Sequence, residues 1–254
     1  MKLQTKIYGC HSRDEMIEAY KKELGNDLDI TYDDRENGGN AYYTIRKALL
    51  SPINEDTTHL LALPDDMQLC NNFLEKLEFI VNKFPKKIVS LYPCLCNSLD
   101  HVYNTPYHRV VILAACGLVF PVQIIKEMVD WIDNCYTKYK GFTVDNLIDD
   151  IAMQAWATDY SVDMITTIPA LVQHIGDNSL LGDFPIRRTN YFIDDLTEEQ
   201  LKDVDWNSDE IMQWKYSNSS VLLLPGTKIE EIPLIPDNTR TTTFRYSSLG
   251  NTFI

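Results

Sequence analysis

The sequence predicts an α/β fold: a mostly parallel sheet flanked by helices, with a C-terminal appendage over residues 189–254. Three observations carry this expectation. Short apolar runs alternate with amphipathic stretches of helical length from residue 6 to about residue 158, the pattern of strands joined by crossover helices. One run, Leu60-Leu61-Ala62-Leu63-Pro64, ends abruptly in Asp65 and Asp66, and acids just past a strand's carboxyl end lie on the rim where open α/β sheets bind ligands. After Arg188 the alternation dissolves into short acidic and proline-containing pieces.

The elements follow in order. A strand over 6–10 leads into a helix over 14–24 and a second strand over 29–32, a β-α-β start. The polar stretch 33–40 contains Gly38 and Gly39 and reads as a loop feeding a helix over 41–50. The Leu60–Pro64 strand precedes a helix over 70–84 that Pro85 closes. A strand over 87–92, a polar loop to Tyr107, a core strand and turn within the apolar run 110–122, and a helix over 122–136 come next. A further helix starts near Asp145 and runs to about Thr158.

Composition sets the class. Of 254 residues, 44% are hydrophobic and 24% charged, which suits a globular chain able to bury a sizeable core. The longest apolar run, 110–122, falls short of the ~20 residues that span a bilayer. The N-terminus lacks the apolar core of a secretory signal, so the expected location is the cytoplasm, with no membrane partner. Six cysteines show no zinc-type spacing and are expected to be reduced thiols. A formal charge of −14 disfavours a broad hold on nucleic acid or anionic membrane. Local basic groups remain at Lys138, Lys140, Arg187, Arg188, Arg240 and Arg245.

Individual residues admit two readings each. Asp65 and Asp66 suit a divalent ion, or they cap the helix that follows, where carboxylates are favoured. Tyr8, His11, Ser12 and Arg13 follow or end the first strand, where a nucleotide's base, ribose and phosphate are commonly held; Ser12 can equally cap the first helix. Asp33 and Arg35 follow the second strand, and Gly39 beside Gly38 allows close backbone approach, although no phosphate-loop motif is present. His174 is a ligand or a structural imidazole.

Five segments, IYGCHSR, DDRENGGNAYYTIRKALL, THLLALPDDM, ACGLVFP with GFTVDNLIDD, and TIPALVQHIGDNSLLG, together resemble the GT-A glycosyltransferases, which have a Rossmann-like fold. The resemblance covers about residues 7–188 and is nearest to small inverting and phage-type, DNA-modifying members. It implies transfer of a sugar from a nucleotide diphosphate sugar, a UDP-sugar, to an acceptor hydroxyl. Pro64 stands at the first place of the family's acidic triplet. By resemblance Asp66 ligates Mn²⁺ or Mg²⁺ and Asp65 binds the donor ribose or a metal-bound water. His174 returns to the metal or the diphosphate, and Arg187 and Arg188 suit phosphate recognition. Inverting transfer needs a general base for the acceptor hydroxyl; Asp145 resembles that position best, and Asp149 lies one turn later on the same helix face. The implied acceptor is a hydroxymethylated pyrimidine in phage DNA, with a glycan hydroxyl or a non-catalytic nucleotide-sugar-binding role as the alternatives.

Overall fold

A computed structural model describes residues 1–25, 28–34, 41–93, 105–109, 115–137, 149–176 and 188–213. Its sheet is built from β1 (Leu3–Gly9), β2 (Asp29–Tyr32), β3 (His59–Pro64), β5 (Ile88–Ser90), β6 (Tyr107–Arg109), β7 (Leu118–Pro121), β8 (Met164–Thr167) and β10 (Met212–Gln213). The strand order is β10-β6-β8-β5-β7-β3-β1-β2. The pairs β1–β2, β1–β3, β5–β8 and β6–β10 are parallel, whereas β7 runs against both its neighbours and β6 against β8. A separate antiparallel ribbon joins β4 (Met67–Leu69) to β9 (Val172–His174), with Met67 opposite His174.

The helices are α1 (Asp14–Leu24), α2 (Ala41–Leu50), α3 (Phe73–Lys83), α4 (Val122–Trp131, continuing as a π-helical turn over Ile132–Tyr136), α5 (Asp149–Asp159) and α6 (Glu198–Leu201). They divide the core in two, because successive strand residues face opposite sides of the sheet. Ile7, Leu61 and Leu63 pack with Ile17 and Tyr20 of α1 and Leu77 and Ile80 of α3. On the other face Tyr8, Leu60 and Ala62 pack with Ile45 of α2, Met128 of α4 and Trp156 of α5. Burial on both faces explains why β3 is apolar without alternation. Lys6 is fully buried on β1, its ammonium held by Asp29, by Ser51 Oγ at 2.6 Å and by the Pro52 carbonyl at 2.7 Å. A buried charge requires such a full set of partners.

The expected helix over 70–84 begins later, at Phe73, with Asn72 as the flanking residue at φ 54°. Residues 67–69 instead pair with β9, so Asp65 and Asp66 lie in the turn between two strands and do not cap α3. The geometry removes the helix-cap reading of the acid pair. Residues 189–213 pack against the sheet: Phe192 is 1% exposed and bridges to Ala170, the Tyr107 hydroxyl donates to the Trp206 carbonyl at 2.7 Å, and β10 extends the edge at β6. Among the described residues no helix is long and apolar enough to cross a membrane.

Candidate functional site

The chain passes from β1 outward to β2 and then back across β1 to β3. The crevice between the carboxyl ends of β1 and β3 is therefore a topological switch point, where an open α/β sheet leaves room for a ligand. Gly9 and Cys10 form one lip and the turn Pro64–Met67 the other.

Backbone contacts fix that turn from both sides. The Tyr20 hydroxyl, 2% exposed on α1, donates to the Pro64 carbonyl at 2.7 Å and accepts the Met67 N–H at 2.8 Å. The Ile175 N–H donates to the Asp66 carbonyl at 2.9 Å, tying in the strand that carries His174. With the turn held, the two carboxylates point into one cluster. Asp65 Oδ2 accepts the Cys10 N–H at 2.7 Å, and its Oδ1 accepts Arg13 Nη1 at 3.0 Å. The same Arg13 nitrogen donates to Asp66 Oδ2, which also faces His174 Nε2 at 3.1 Å.

Two glycines make room for this packing. A Cβ on Gly9 would stand 2.1 Å from Asp65 Oδ2, and one on Gly176 would stand 2.7 Å from Asp66 Oδ2 and 3.2 Å from Arg13 Nη2. Any side chain at either place would displace the acids.

The two carboxyls differ electrically. Burial raises the Asp65 pKa, and the Cys10 N–H and Arg13 only partly oppose it. Burial also pushes Asp66 upward, but His174 and Arg13 outweigh it and hold Asp66 below the usual carboxylate range. For Arg13, burial works against the charged form, and the attraction of Asp66 and Asp65 prevails to raise its pKa.

Four of the residues expected from sequence thus meet: Arg13, Asp65, Asp66 and His174. His11 and Ser12 flank them. The His11 ring stacks on Tyr32 with centroids 3.8 Å apart, and Ser12 Oγ lies 3.0 Å from Cys10 Sγ. Asp33 accepts the Thr44 hydroxyl at 3.0 Å, while its N–H donates to the Gly9 carbonyl at 2.7 Å, placing it beside the β1 lip. Tyr8 belongs to the buried core on the opposite side of β1 from Ile7, with its hydroxyl on the Ala115 carbonyl. Arg188 is exposed and precedes Thr189, whose backbone the Gln173 amide holds at 2.8 and 2.9 Å, beside His174. Asp149 is the first residue of α5. Arg35, Gly39, Asp145 and Arg187 lie outside the described residues. Sequence reading gave no role to Gly9 or Tyr20 and took Gly176 only as the start of a polar loop after His174; a glycine ending a strand before a polar turn was the available signal for the first.

The cluster as folded does not suit a divalent ion at Asp66 and His174. Asp66 Oδ2 receives a guanidinium, and the His174 nitrogen that would have to be a bare ligand faces a carboxylate as a donor. Among the described residues no group of three His, Cys, Asp or Glu side chains is arranged to hold a metal.

No protein-family model and no curated protein matches the chain. Among solved structures it is similar to a Drosophila β-1,4-galactosyltransferase 7 mutant in complex with manganese, UDP-Gal and xylobiose, at 11% identity and TM-score 0.44, over 69% of this chain and 71% of that one. A glycosyltransferase involved in glycosylation of the major capsid of PBCV-1 is similar at 12% identity and TM-score 0.39, over 68% and 93%. A mannose-1-phosphate geranyltransferase from Thermus thermophilus is similar at 10% identity and TM-score 0.34, over 66% and 74%. At these values the similarities assign the chain neither a family nor an activity.

Proposed function

We propose that the chain is a glycosyltransferase that moves a sugar from a nucleotide diphosphate sugar, a UDP-sugar, to an acceptor hydroxyl. The observation that carries this reading is the convergence of three distant segments at the β1–β3 crevice. Arg13 comes from IYGCHSR, Asp65 and Asp66 from THLLALPDDM, and His174 with Gly176 from TIPALVQHIGDNSLLG. These are segments on which the GT-A resemblance rests, and a switch-point crevice is where a nucleotide is expected.

In this reading Asp65, oriented by the Cys10 N–H, accepts hydrogen bonds from the donor ribose. The stacked rings of His11 and Tyr32 lie at the ends of β1 and β2, on the side where the base would rest. Arg13 and Arg188 supply positive charge for the diphosphate, and Arg13 tethers the acids to the first turn. Positioning of the donor carries much of the rate enhancement. Asp145, with Asp149 second, is the base for inverting attack by the acceptor hydroxyl. An acceptor in phage DNA, a hydroxymethylated pyrimidine, follows from the resemblance. The −14 charge favours a second reading, a glycan hydroxyl, since it opposes close approach of a polyanion.

The test is release of nucleoside diphosphate from a panel of nucleotide diphosphate sugars, with hydroxymethylated DNA and with oligosaccharides as acceptors. The expected result is turnover with a UDP-sugar that falls at least tenfold in Asp65→Asn, which loses the ribose contact. No turnover with any donor and acceptor pair, in protein whose fold is verified, would overturn the reading.

A further inference from the structure

The Asp65–Asp66 pair is an acidic site whose cation is already covalently present. One guanidinium nitrogen of Arg13 lies within hydrogen-bonding reach of both carboxylates, 3.0 Å from Asp65 Oδ1 and in contact with Asp66 Oδ2. The side chains involved are largely withdrawn from water, at 14% exposure for Arg13, 4% for Asp65 and 9% for Asp66. The remaining contacts are also donors. The Cys10 N–H donates to Asp65 Oδ2, and His174 Nε2 faces Asp66 Oδ2. The other imidazole nitrogen, Nδ1, is buried with no hydrogen-bond partner among the described residues. Placing the proton on Nε2 satisfies the Asp66 contact; moving it to Nδ1, as ligation through Nε2 demands, leaves a buried N–H without an acceptor.

Space points the same way. Backbone closes on the cluster at Gly9 and Gly176, where even a methyl group would meet the carboxylates at 2.1 and 2.7 Å. Arg13 Nη2 itself lies 3.2 Å from the place of a Gly176 Cβ, so the guanidinium fills the gap between the acids and the β9 exit. The two hydrogens of the one Nη1 nitrogen can serve the two acids, one each.

We infer that Arg13 is the resident counter-cation of the Asp65–Asp66 pair and excludes divalent metal from it in the ligand-free protein. Arg13 is then a positioning residue: it holds both carboxylates in register with the Cys10 N–H and His174 and sets the charge that an incoming ligand meets. Metal can enter only after the guanidinium leaves the acids. The inference concerns the cluster alone and is tested without nucleotide, so it stands or fails separately from the sugar-transfer reading.

The experiment is titration of the full chain with Mn²⁺ at pH 7, following loss of the free-ion electron paramagnetic resonance signal. The wild type is compared with Arg13→Met and Asp66→Asn, each checked for cooperative unfolding. The wild type is expected to show no one-to-one site tighter than about millimolar, in the range of weak association. Arg13→Met, with the acids retained and the cation removed, should bind one Mn²⁺ at least tenfold more tightly. If Arg13→Met does not fold, Arg13→Gln offers the same contrast with a neutral hydrogen-bonding side chain. Tight one-to-one Mn²⁺ binding by the wild type that Asp66→Asn abolishes overturns the inference. So does a folded Arg13 variant that binds no more tightly than the wild type.

Discussion

Replacing Tyr20 by Phe removes a single oxygen that joins the two ends of the acid-bearing turn. The ring stays, and the hydrophobic contribution of a side chain 2% exposed is nearly unchanged. Two hydrogen bonds go: the hydroxyl no longer donates to the Pro64 carbonyl at 2.7 Å, and the Met67 N–H loses its acceptor at 2.8 Å. Leaving a buried N–H unsatisfied costs about 1–3 kcal/mol, and the second bond adds about 0.5–1.5 kcal/mol. A total of about 1.5–4.5 kcal/mol corresponds, at this chain length, to a fall in Tm of roughly 3–18 °C. Urea denaturation at pH 7 followed by far-ultraviolet circular dichroism measures the loss directly, with an unchanged m-value indicating that the folded and unfolded ensembles are otherwise the same. A loss below about 0.5 kcal/mol would refute the argument, because the turn would then hold its shape without the hydroxyl.

Gly9→Ala forces a methyl group to 2.1 Å from Asp65 Oδ2, and Asp65 is too enclosed to move freely. Overpacking of this kind costs about 1–3 kcal/mol; a variant as stable as wild type would show that the β1 lip can yield. Asp66 has its pKa lowered in the folded chain, so the unfolded chain binds the extra proton and Asp66 stabilises above its unfolded value of about 3.9. The stability gap between wild type and Asp66→Asn should therefore be full at pH 7 and shrink as pH falls through the lower, folded value. A gap that stays constant from pH 7 to about pH 2.5 in urea titrations contradicts the ion-pair account. Asp65, whose pKa burial raises, should show the opposite sign: the Asp65→Asn difference moves in the variant's favour as pH rises from about 3 to about 7.

Amphipathic helices with polar boundaries are legible from sequence. The expected helices 14–24 and 41–50 coincide with α1 and α2, where local periodicity suffices, and the expected strand 29–32 coincides with β2, which polar residues bound on both sides. Strands of two or three residues, such as β6, β9 and β10, carry too few side chains to show a period. The start of α3 escapes local reading for a related reason: residues 67–69 are a strand only because β9, about a hundred residues later, pairs with them. Tyr8 is expected at the site from its place near the end of the first strand, yet the period-two alternation of β1 already sends it to the opposite side from Ile7.

The candidate site is legible by residue type and not by connection. Asp65, Asp66, His174 and Arg13 are each marked by chemistry and position. That one guanidinium spans both acids depends on how the first turn folds back over β3, which no local pattern encodes. Tyr20 reads as an ordinary apolar-face residue of α1, and its hydroxyl finds its partners only across the fold.

Binding of the donor tests the central claim most directly. Isothermal titration of UDP-glucose, UDP-galactose and related nucleotide diphosphate sugars into the wild type should reveal one-to-one binding of at least one of them. Asp65→Asn should weaken that binding at least tenfold, a loss of about 1.4 kcal/mol. Absence of binding to every such donor at millimolar concentration, or binding that Asp65→Asn leaves untouched, would contradict the assignment of the β1–β3 crevice as a nucleotide-sugar site.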